Sequence, residues 1–366
     1  MTTDFIPAAR PLIGDEERAA VDRVLCSGMI AQGPEVAAFE REFGDALTAG
    51  VPCVAVSSGT AALHLGLLAA GVGAGAEVIV PSFTFAATAN AVALAGATPV
   101  FADIEPDYFC LDPVAVRAAI TPRTRAILPV HLYGQPADLT ALQELADEFG
   151  LQLFEDAAQA HGASLHGRPV GAFGEFAAFS LYPTKNMTSG EGGMVATGSP
   201  EVTRKVRLLR NQGMERRYEN EVIGFNQRMT DVHAAIGRVQ LAKLPDWTAK
   251  RQANAAFLDA NLAAGISPNV RPGATHVYHQ YTIRVEGDRD RMVAALKDEY
   301  HVGSGVYYPI PNHQLPSLAP FAPGLDLPQT AAAAAQVISL PVHPALTEAD
   351  LERVVTAVNA VVRAGS

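Results

Sequence analysis

The sequence predicts an α/β protein with a mixed, mainly parallel seven-stranded sheet, helices on both sheet faces and a smaller C-terminal α+β domain. Between about residues 51 and 197, short apolar runs rich in β-branched residues alternate with helix-like segments. The runs are continuously apolar, as expected for strands that are buried on both faces. The 366 residues, 49% of them hydrophobic, suffice for one large and one smaller domain with a substantial core.

The elements of the first half follow in the order strand, helix, strand, which predicts βαβ units and parallel strand pairing. Two further strands are expected after the fifth, joined by the segment FSLYPTKNMTSGEGG. The predicted strands cover residues 53–56, 77–81, 98–103, 125–130, 151–156, 176–181 and 193–198. The helix-like segments between the first five of them cover residues 57–71, 82–96, 112–120 and 137–150.

The second half begins with a long helical region. Residues 227–244 carry apolar side chains at helical spacing, and Pro245 predicts a break before a second helix that reaches about residue 264. Shorter strand-like and helix-like segments follow to the end of the chain. We therefore predict a large domain over residues 1–245, including the N-terminal segment, and a small α+β domain over residues 246–366.

Charge and cysteine content exclude several classes of function. The chain has 38 acidic and 27 basic residues, a net charge of −11, and no block of Lys or Arg, so binding to nucleic acid is not expected. Cys26, Cys53 and Cys110 form no CxxC pair, which argues against a disulfide framework and a metal site. No apolar run is long enough to span a bilayer, and the first residues do not resemble a signal peptide. A cytoplasmic location is predicted.

Polar side chains lie at three strand ends, where ligands bind in open α/β sheets. SSGTAAL (57–63) enters a helix, and free N–H groups at a helix N-terminus suit a phosphate, although Ser and Thr are also ordinary caps. Glu155 and Asp156 end a strand that should be central, where a carboxylate needs a partner. Lys185 follows the strand at 176–181 and is either a solvated surface residue or a reactive amine.

A phosphate site, a strand-end carboxylate and a later lysine are the three groups that pyridoxal 5′-phosphate (PLP) requires. The phosphate anchors the cofactor, the carboxylate pairs with the pyridine nitrogen, and the lysine amine binds the aldehyde as a Schiff base. Each group alone is unspecific. Their order and spacing together favour PLP over the separate structural interpretations.

The motifs SSGTAALHLGL, PSFTFAATANAV, FEDAAQAHGA, FSLYPTKNMTSGEGG and GFNQRMTDVHAAIG, in this order, resemble the sugar aminotransferase family DegT/DnrJ/EryC1/StrS. This family has the aspartate aminotransferase-like fold (PLP fold type I), and the resemblance covers nearly the whole chain. It implies that Lys185 binds the cofactor covalently and moves the proton during transamination. It also implies that Asp156 binds the pyridine nitrogen.

The resemblance implies further cofactor contacts. Gln159 would hydrogen-bond the 3′ oxygen of the cofactor, Phe85 would stack on the pyridine ring, and the phosphate would be bound by Gly59, Thr60 and Ser180. Asn226 matches a residue that the family contributes to the phosphate site of the neighbouring subunit. A homodimer with shared active sites is therefore expected.

Four further residues are candidates for contacts with the substrate. His161 could equally be a structural histidine, and Arg228 could equally form a surface salt bridge. Tyr308 and His313 match a C-terminal segment that lies near the sugar site in relatives. His233 stands where the family usually has Gln, and no role is assigned to it.

The resemblance implies a PLP-dependent aminotransferase that cycles through pyridoxamine 5′-phosphate and moves an amino group from L-glutamate or glutamine to a nucleotide-linked keto sugar. A dTDP- or UDP-linked 4-keto-6-deoxyhexose is favoured because the segment GEGG, with Glu191, resembles the relatives that act at C4. A 3-keto sugar, favoured by YPIPNHQ, and a keto-cyclitol are the alternatives. A dehydratase on the same fold is disfavoured because such relatives replace the lysine. A non-catalytic PLP-binding regulator is the alternative from another class.

Overall fold

The computed structural model describes residues 5–263 and 265–365. Its main feature is a seven-stranded sheet with the strand order β1-β9-β8-β5-β4-β2-β3. Strand β9 is antiparallel to both of its neighbours and the other strand pairs are parallel, so the predicted mixed, mainly parallel sheet is confirmed. The seven strands are β1 (Cys53–Val56), β2 (Glu77–Pro81), β3 (Thr98–Ala102), β4 (Thr124–Ile127), β5 (Gln152–Asp156), β8 (Phe176–Ser180) and β9 (Gly193–Ala196).

Seven short strands of the described residues lie outside this sheet. Two of them, β13 and β14, form an antiparallel pair in the C-terminal part of the chain. The seven strands are β6 (Ser164–Leu165), β7 (Arg168–Pro169), β10 (Met214–Arg216), β11 (Glu219–Asn220), β12 (Ala274–Thr275), β13 (Tyr281–Arg284) and β14 (Val337–Leu340).

Helices cover both faces of the sheet and the C-terminal part of the chain. Among the described residues they are α1 (Asp15–Ser27), α2 (Pro34–Leu47), α3 (Gly59–Ala69), α4 (Ala87–Leu94), α5 (Pro113–Ala119), α6 (Leu139–Phe149), α7 (Pro200–Arg210), α8 (Asp231–Asn261), α9 (Arg289–Asp298), α10 (Pro328–Gln336) and α11 (Glu348–Gly365). Helices α3, α5 and α6 begin and end within two residues of the predicted segments, whereas α4 begins five residues after its predicted start.

Successive residues of the sheet strands pack into different cores. In β1, Ala55 belongs to the core shared with α2 and α6, whereas Val54 and Val56 belong to the core shared with α3 and α4. Phe154 of β5 packs on the α3 face at 4.6 Å between its ring centroid and that of Phe176. Burial of both sheet faces explains why the strands read as continuous apolar runs.

The predicted helix break at Pro245 is wrong, because Pro245 lies inside α8, a single helix of 31 residues. A proline inside a helix removes one backbone hydrogen bond and costs about 3 kcal/mol. Burial of apolar side chains before and after Pro245 offsets the cost of the proline. Leu241 and Leu244 lie in a core of the sheet, and Ala255 and Leu258 lie in a separate core with β13, β14 and α11.

That separate core includes Ile6 from the N-terminal segment. The Ile6 amide donates to the His301 carbonyl at 2.9 Å, and the Gly303 amide donates to the Ile6 carbonyl at 2.7 Å. The N-terminal segment thus pairs with the C-terminal part of the chain. The division at residues 245 and 246 stays a prediction. Within the described residues, no helix has the length and apolar character needed to cross a membrane.

Candidate active site

A cavity of about 720 Å³ opens where the carboxyl ends of the parallel strands meet. This is the edge of the sheet at which an open α/β fold binds its ligands. The structure brings eight of the predicted residues to its wall: Gly59, Thr60, Phe85, Asp156, Gln159, Ser180, Lys185 and Tyr308. Their sequence positions span 250 residues, so the fold, and not sequence proximity, assembles the site.

The N-terminus of α3 forms one wall of the cavity. Ser58 caps the helix by accepting a hydrogen bond from the Ala61 amide at 3.1 Å. Gly59 and Thr60, the next two residues, lie at the cavity wall. The motif is therefore a helix cap and also part of the cavity. A side chain at residue 59 would come within 2.7 Å of Cβ of Ser180, so glycine is required for the close approach of β8. Helix N–H groups and the hydroxyls of Thr60 and Ser180 therefore converge on a site suited to a phosphate dianion.

Asp156 lies at the end of β5, deep in the cavity. Its Oδ2 accepts a hydrogen bond from Thr88 Oγ1 at 2.7 Å, and its Oδ1 accepts one from the Ala158 amide at 3.2 Å. Burial raises the pKa of this carboxyl, although Thr88, Ala158 and Lys185 oppose the rise. A cationic ring nitrogen would provide the opposite charge that a buried carboxylate needs.

Glu155, the adjacent carboxylate, points away from the cavity and has a structural role. It is fully buried and accepts hydrogen bonds from the amides of Gly171, Phe173 and Gly174 at 2.8–3.0 Å. His131 Nδ1 accepts from the Ala137 amide, so His131 Nε2 carries the proton that bonds Glu155 at 3.2 Å. The two carboxylates at the end of β5 therefore have different roles: Glu155 is structural, and Asp156 faces the cavity.

Glu155→Gln is expected to lower the free energy of unfolding by about 3 kcal/mol, because it replaces an acceptor of several buried N–H groups. Burial alone would raise the pKa of Glu155, but the bonds from His131 and the backbone outweigh it, and the pKa is lowered. The stabilisation is therefore present above the pKa of the unfolded state and is lost as pH falls through the lower folded pKa. Urea unfolding at pH 7 and pH 3 should show a mutant deficit that shrinks in acid. An equal deficit at both pH values would contradict this role.

Lys185 lies in the turn after β8, where its amide donates to the Tyr182 carbonyl at 3.0 Å. Within residues 5–263 and 265–365, its ammonium group makes no hydrogen bond or ion pair. Burial lowers the pKa of Lys185 to about 8, with Asp156 opposing the shift. This lowered pKa increases the fraction of free amine at neutral pH. A buried amine without a fixed partner is suited to covalent bonding with an aldehyde.

Phe85 and Gln159 complete the surface that faces Asp156. The Phe85 side chain is 62% exposed although it lies at the cavity wall, and its ring centroid is 6.3 Å from that of Tyr308. A flat ligand over this ring would cover apolar surface that is otherwise open to water. Gln159 accepts from the Tyr133 amide at 2.7 Å and donates to the Tyr308 hydroxyl at 2.8 Å.

Four predicted residues do not lie at the cavity wall. His161 is fully buried against the rings of Phe43 and Phe179, and this burial lowers its pKa to about 3, so it is a neutral core residue. His313 is paired with Ser82 Oγ at 2.7 Å through Nδ1. The structure therefore gives both histidines structural surroundings.

Arg228 and Asn226 lie on the segment before α8. The Arg228 guanidinium donates to Asn211 Oδ1 at 2.6 Å, and Asn226 is exposed. Neither side chain reaches the cavity of its own chain. For Asn226 this is the position expected of a residue that acts on a neighbouring subunit, and that role stays a prediction.

Sequence reasoning missed several residues of the cavity wall: Thr88, Tyr133, Tyr182, His279 and Gln280. Thr88 lies three positions after Phe85, in the first turn of α4, and this spacing is a signal that could have indicated it. Tyr133 has a positive φ of 59° in a tight turn, and His279 comes from HVYHQY in the C-terminal part of the chain. No local pattern places those two beside Lys185. The described residues contain no cluster of His, Cys, Asp or Glu that could hold a metal ion.

The residues of the cavity fit PLP in chemical type and position. A helix N-terminus with two hydroxyls suits the phosphate, a buried carboxylate that forms no ion pair with any described residue suits the ring nitrogen, and an exposed aromatic face suits the ring. The free amine of Lys185 suits the aldehyde.

Comparisons with known proteins agree with this assignment. Residues 11–359 match the model of the DegT/DnrJ/EryC1/StrS aminotransferase family. The dTDP-3-amino-3,4,6-trideoxy-alpha-D-glucose transaminase of Streptomyces venezuelae is 45% identical over 358 residues, which are 96% of this chain and 94% of that protein.

Solved structures show the same fold and cofactor chemistry. S. venezuelae DesV, in complex with a ketimine intermediate, has a TM-score of 0.90 at 45% identity, with 94% of each chain covered. NtdA from Bacillus subtilis, with bound cofactor PMP, has a TM-score of 0.88 at 32% identity, with 96% of this chain and 83% of that chain covered. The chain described here therefore belongs to the DegT/DnrJ/EryC1/StrS aminotransferase family.

Proposed function

We propose that this chain is a PLP-dependent aminotransferase that moves an amino group from L-glutamate, or glutamine, to a nucleotide-linked keto sugar. The observation that carries the proposal is the unpartnered, partly buried Lys185 amine at the same cavity as Asp156 and the α3 N-terminus. A surface lysine would keep its ordinary pKa and would not share a cavity with a buried carboxylate.

Each group has a separate task in this proposal. The α3 N-terminus, Thr60 and Ser180 bind the phosphate, and Asp156 binds the ring nitrogen. PLP, when bound, supplies an electron sink that makes a proton on the donor carbon acidic. Lys185 first binds the cofactor covalently and, once displaced by the donor amine, carries the proton between donor carbon and cofactor as general base and acid.

The preferred position of amination on the sugar changes from C4 to C3. The sequence favoured C4 through Glu191, which lies at the cavity wall. The relative at 45% identity is named for a 3-amino product, and this name supports the C3 alternative more strongly than one side chain supports C4. We therefore propose a dTDP-linked 3-keto deoxysugar as substrate, and C4 amination stays an untested prediction.

Separate incubations with dTDP-linked 3-keto and 4-keto deoxysugars and a keto-inositol, each with glutamate or glutamine, test this assignment. Nuclear magnetic resonance of the product identifies the carbon that bears nitrogen. We expect nitrogen at C3 and oxo-acid release in equal amounts. Amination only at C4, or only of the keto-inositol, would contradict the proposed substrate but not the aminotransferase activity. PLP binding without amination of any of them would favour the regulator.

We also propose that the active unit is a homodimer in which Asn226 completes the partner's phosphate site. The position supports this role because Asn226 is exposed and separate from the cavity of its own chain. The absence of a membrane-crossing helix among the described residues is compatible with the proposed cytoplasmic location.

Hybrid dimers can test the shared site. Asn226→Asp should weaken PLP binding by charge repulsion, and Lys185→Met should abolish turnover. If Asn226 acts across the interface, the hybrid of these two chains carries both defects in one site and leaves the other site native. Each hybrid dimer should then have about half of the wild-type activity, so an equal mixture that re-associates at random, in which about half of the dimers are hybrids, should reach about a quarter of it. No recovery, in hybrids shown to form, would place Asn226 in the site of its own chain.

A further inference from the structure

The amide group of Gln159 is held at both of its ends. Its Oε1 accepts a hydrogen bond from the Tyr133 backbone N–H at 2.7 Å, and its Nε2 lies 2.8 Å from the Tyr308 hydroxyl. Gln159 itself is buried and faces the cavity. A side-chain amide with two fixed ends cannot rotate without breaking a buried hydrogen bond, which costs about 1–3 kcal/mol.

These contacts determine which atom of Gln159 donates. A backbone N–H can only donate, so the atom that faces Tyr133 must be the amide oxygen. The Nε2 group therefore faces Tyr308 and donates one of its two protons to the hydroxyl oxygen. Its second proton has no acceptor among the described residues. This second N–H is available to a ligand in the cavity.

Tyr308 has the surroundings of a fixed acceptor. Its ring packs edge-on against Phe83, at 6.1 Å between ring centroids, and is tilted against Phe85. Burial and the neighbouring Asp156 raise the pKa of Tyr308, so the phenol stays neutral. The aromatic contacts fix the ring, and the ring in turn fixes the oxygen that Gln159 bonds.

We propose that Tyr308 is a positioning residue for the cofactor, and not a substrate contact: it holds Gln159 so that the second N–H donates to the 3′ oxygen of PLP. This inference rests on the proposed cofactor site. A donor at that oxygen favours its ionised form over its protonated form. The distribution between the two forms is visible in the absorption spectrum, since the ionised form gives the long-wavelength band.

The test is the ratio of long- to short-wavelength absorption of the PLP-loaded protein, recorded without substrate between pH 6 and 9. Tyr308→Phe keeps the ring and removes only the hydroxyl, which is the acceptor for Gln159, so it should retain PLP and lower the ratio about fivefold, the equivalent of one hydrogen bond. Tyr307→Phe is the matched control, because it removes a neighbouring hydroxyl that makes no hydrogen bond in the described part of the chain. It should leave the ratio at the wild-type value.

A double-mutant cycle shows whether Tyr308 acts through Gln159. Gln159→Leu should lower the ratio at least as much as Tyr308→Phe, and adding Tyr308→Phe to it should change nothing further. An unchanged ratio in Tyr308→Phe would overturn the proposal. So would a second, additive shift in the double variant, since Tyr308 would then act on the cofactor directly.

A third variant covers the case in which Tyr308→Phe does not fold. Tyr308→3-fluorotyrosine keeps the shape, but its oxygen is a poorer acceptor and its proton a better donor. The proposal predicts a smaller shift in the same direction as Tyr308→Phe, and a shift in the opposite direction contradicts it. Failure of the proposed function is distinguishable, because wild-type protein given PLP would then show no long-wavelength band at all.

Discussion

Lys185→Met is expected to reduce amino transfer by about 10⁴-fold or more, because one substitution removes both the covalent anchor and the general acid/base. Methionine has a similar length and keeps the apolar contacts of the side chain, so the fold should be retained. The measurement is single-turnover formation of oxo acid from glutamate by PLP-loaded protein.

Lys205→Met is the matched control, since Lys205 pairs with Glu201 at 2.9 Å on the surface of α7. It should have wild-type activity. Loss of less than tenfold in Lys185→Met would show that another group performs the proton transfer, and equal losses in both variants would point to a general effect of removing a lysine.

Asp156→Asn is expected to lower turnover by about 10²–10³-fold, the range for the loss of one well-placed electrostatic contact. Asparagine keeps the size of the side chain and the bond to Thr88, but it carries no charge to hold the ring nitrogen protonated. Asp103→Asn is the control. Asp103 follows β3 at the same sheet edge and accepts hydrogen bonds from the amides of Gln329 and Thr330, away from the cavity.

The pH dependence of cofactor binding gives an independent test of Asp156. Because burial raises its pKa, the wild-type carboxylate is protonated earlier in acid than an exposed one. The affinity for PLP should therefore fall as pH drops through that raised value, and Asp156→Asn should bind weakly without this dependence. A variant with wild-type affinity and an unchanged pH profile would exclude Asp156 as the partner of the ring nitrogen.

Sequence reasoning predicted the parts of the protein that depend on local patterns. Strands β1, β2 and β5 were located to within a residue, since burial on both faces makes each a continuous apolar run bounded by polar residues. The sequence placed Asp156 and Lys185 in one site because parallel strands end at the same edge of a sheet. A polar residue at a strand end is therefore a candidate for that site at any position in the sequence.

The remaining features depend on tertiary contacts that no local pattern records. Pro245 predicts a helix end by propensity, and packing on two separate cores overrides that propensity. His161 and Gln159 are two positions apart in one motif, yet only Gln159 faces the cavity. The partnership of Gln159 with Tyr308 joins residues 149 positions apart, and only the folded chain shows it.

The central claim, that Lys185 binds the cofactor covalently, is tested most directly by borohydride reduction of the PLP-loaded protein, followed by digestion and mass spectrometry. Reduction makes the bond between amine and cofactor permanent. The chain has five lysines, and the other four are Lys205, Lys243, Lys250 and Lys297, so the modified peptide is unambiguous. We predict a pyridoxyl group on the peptide that contains Lys185, in about one copy per chain. A modification on one of the other four lysines, or none in protein that binds PLP, would contradict the account.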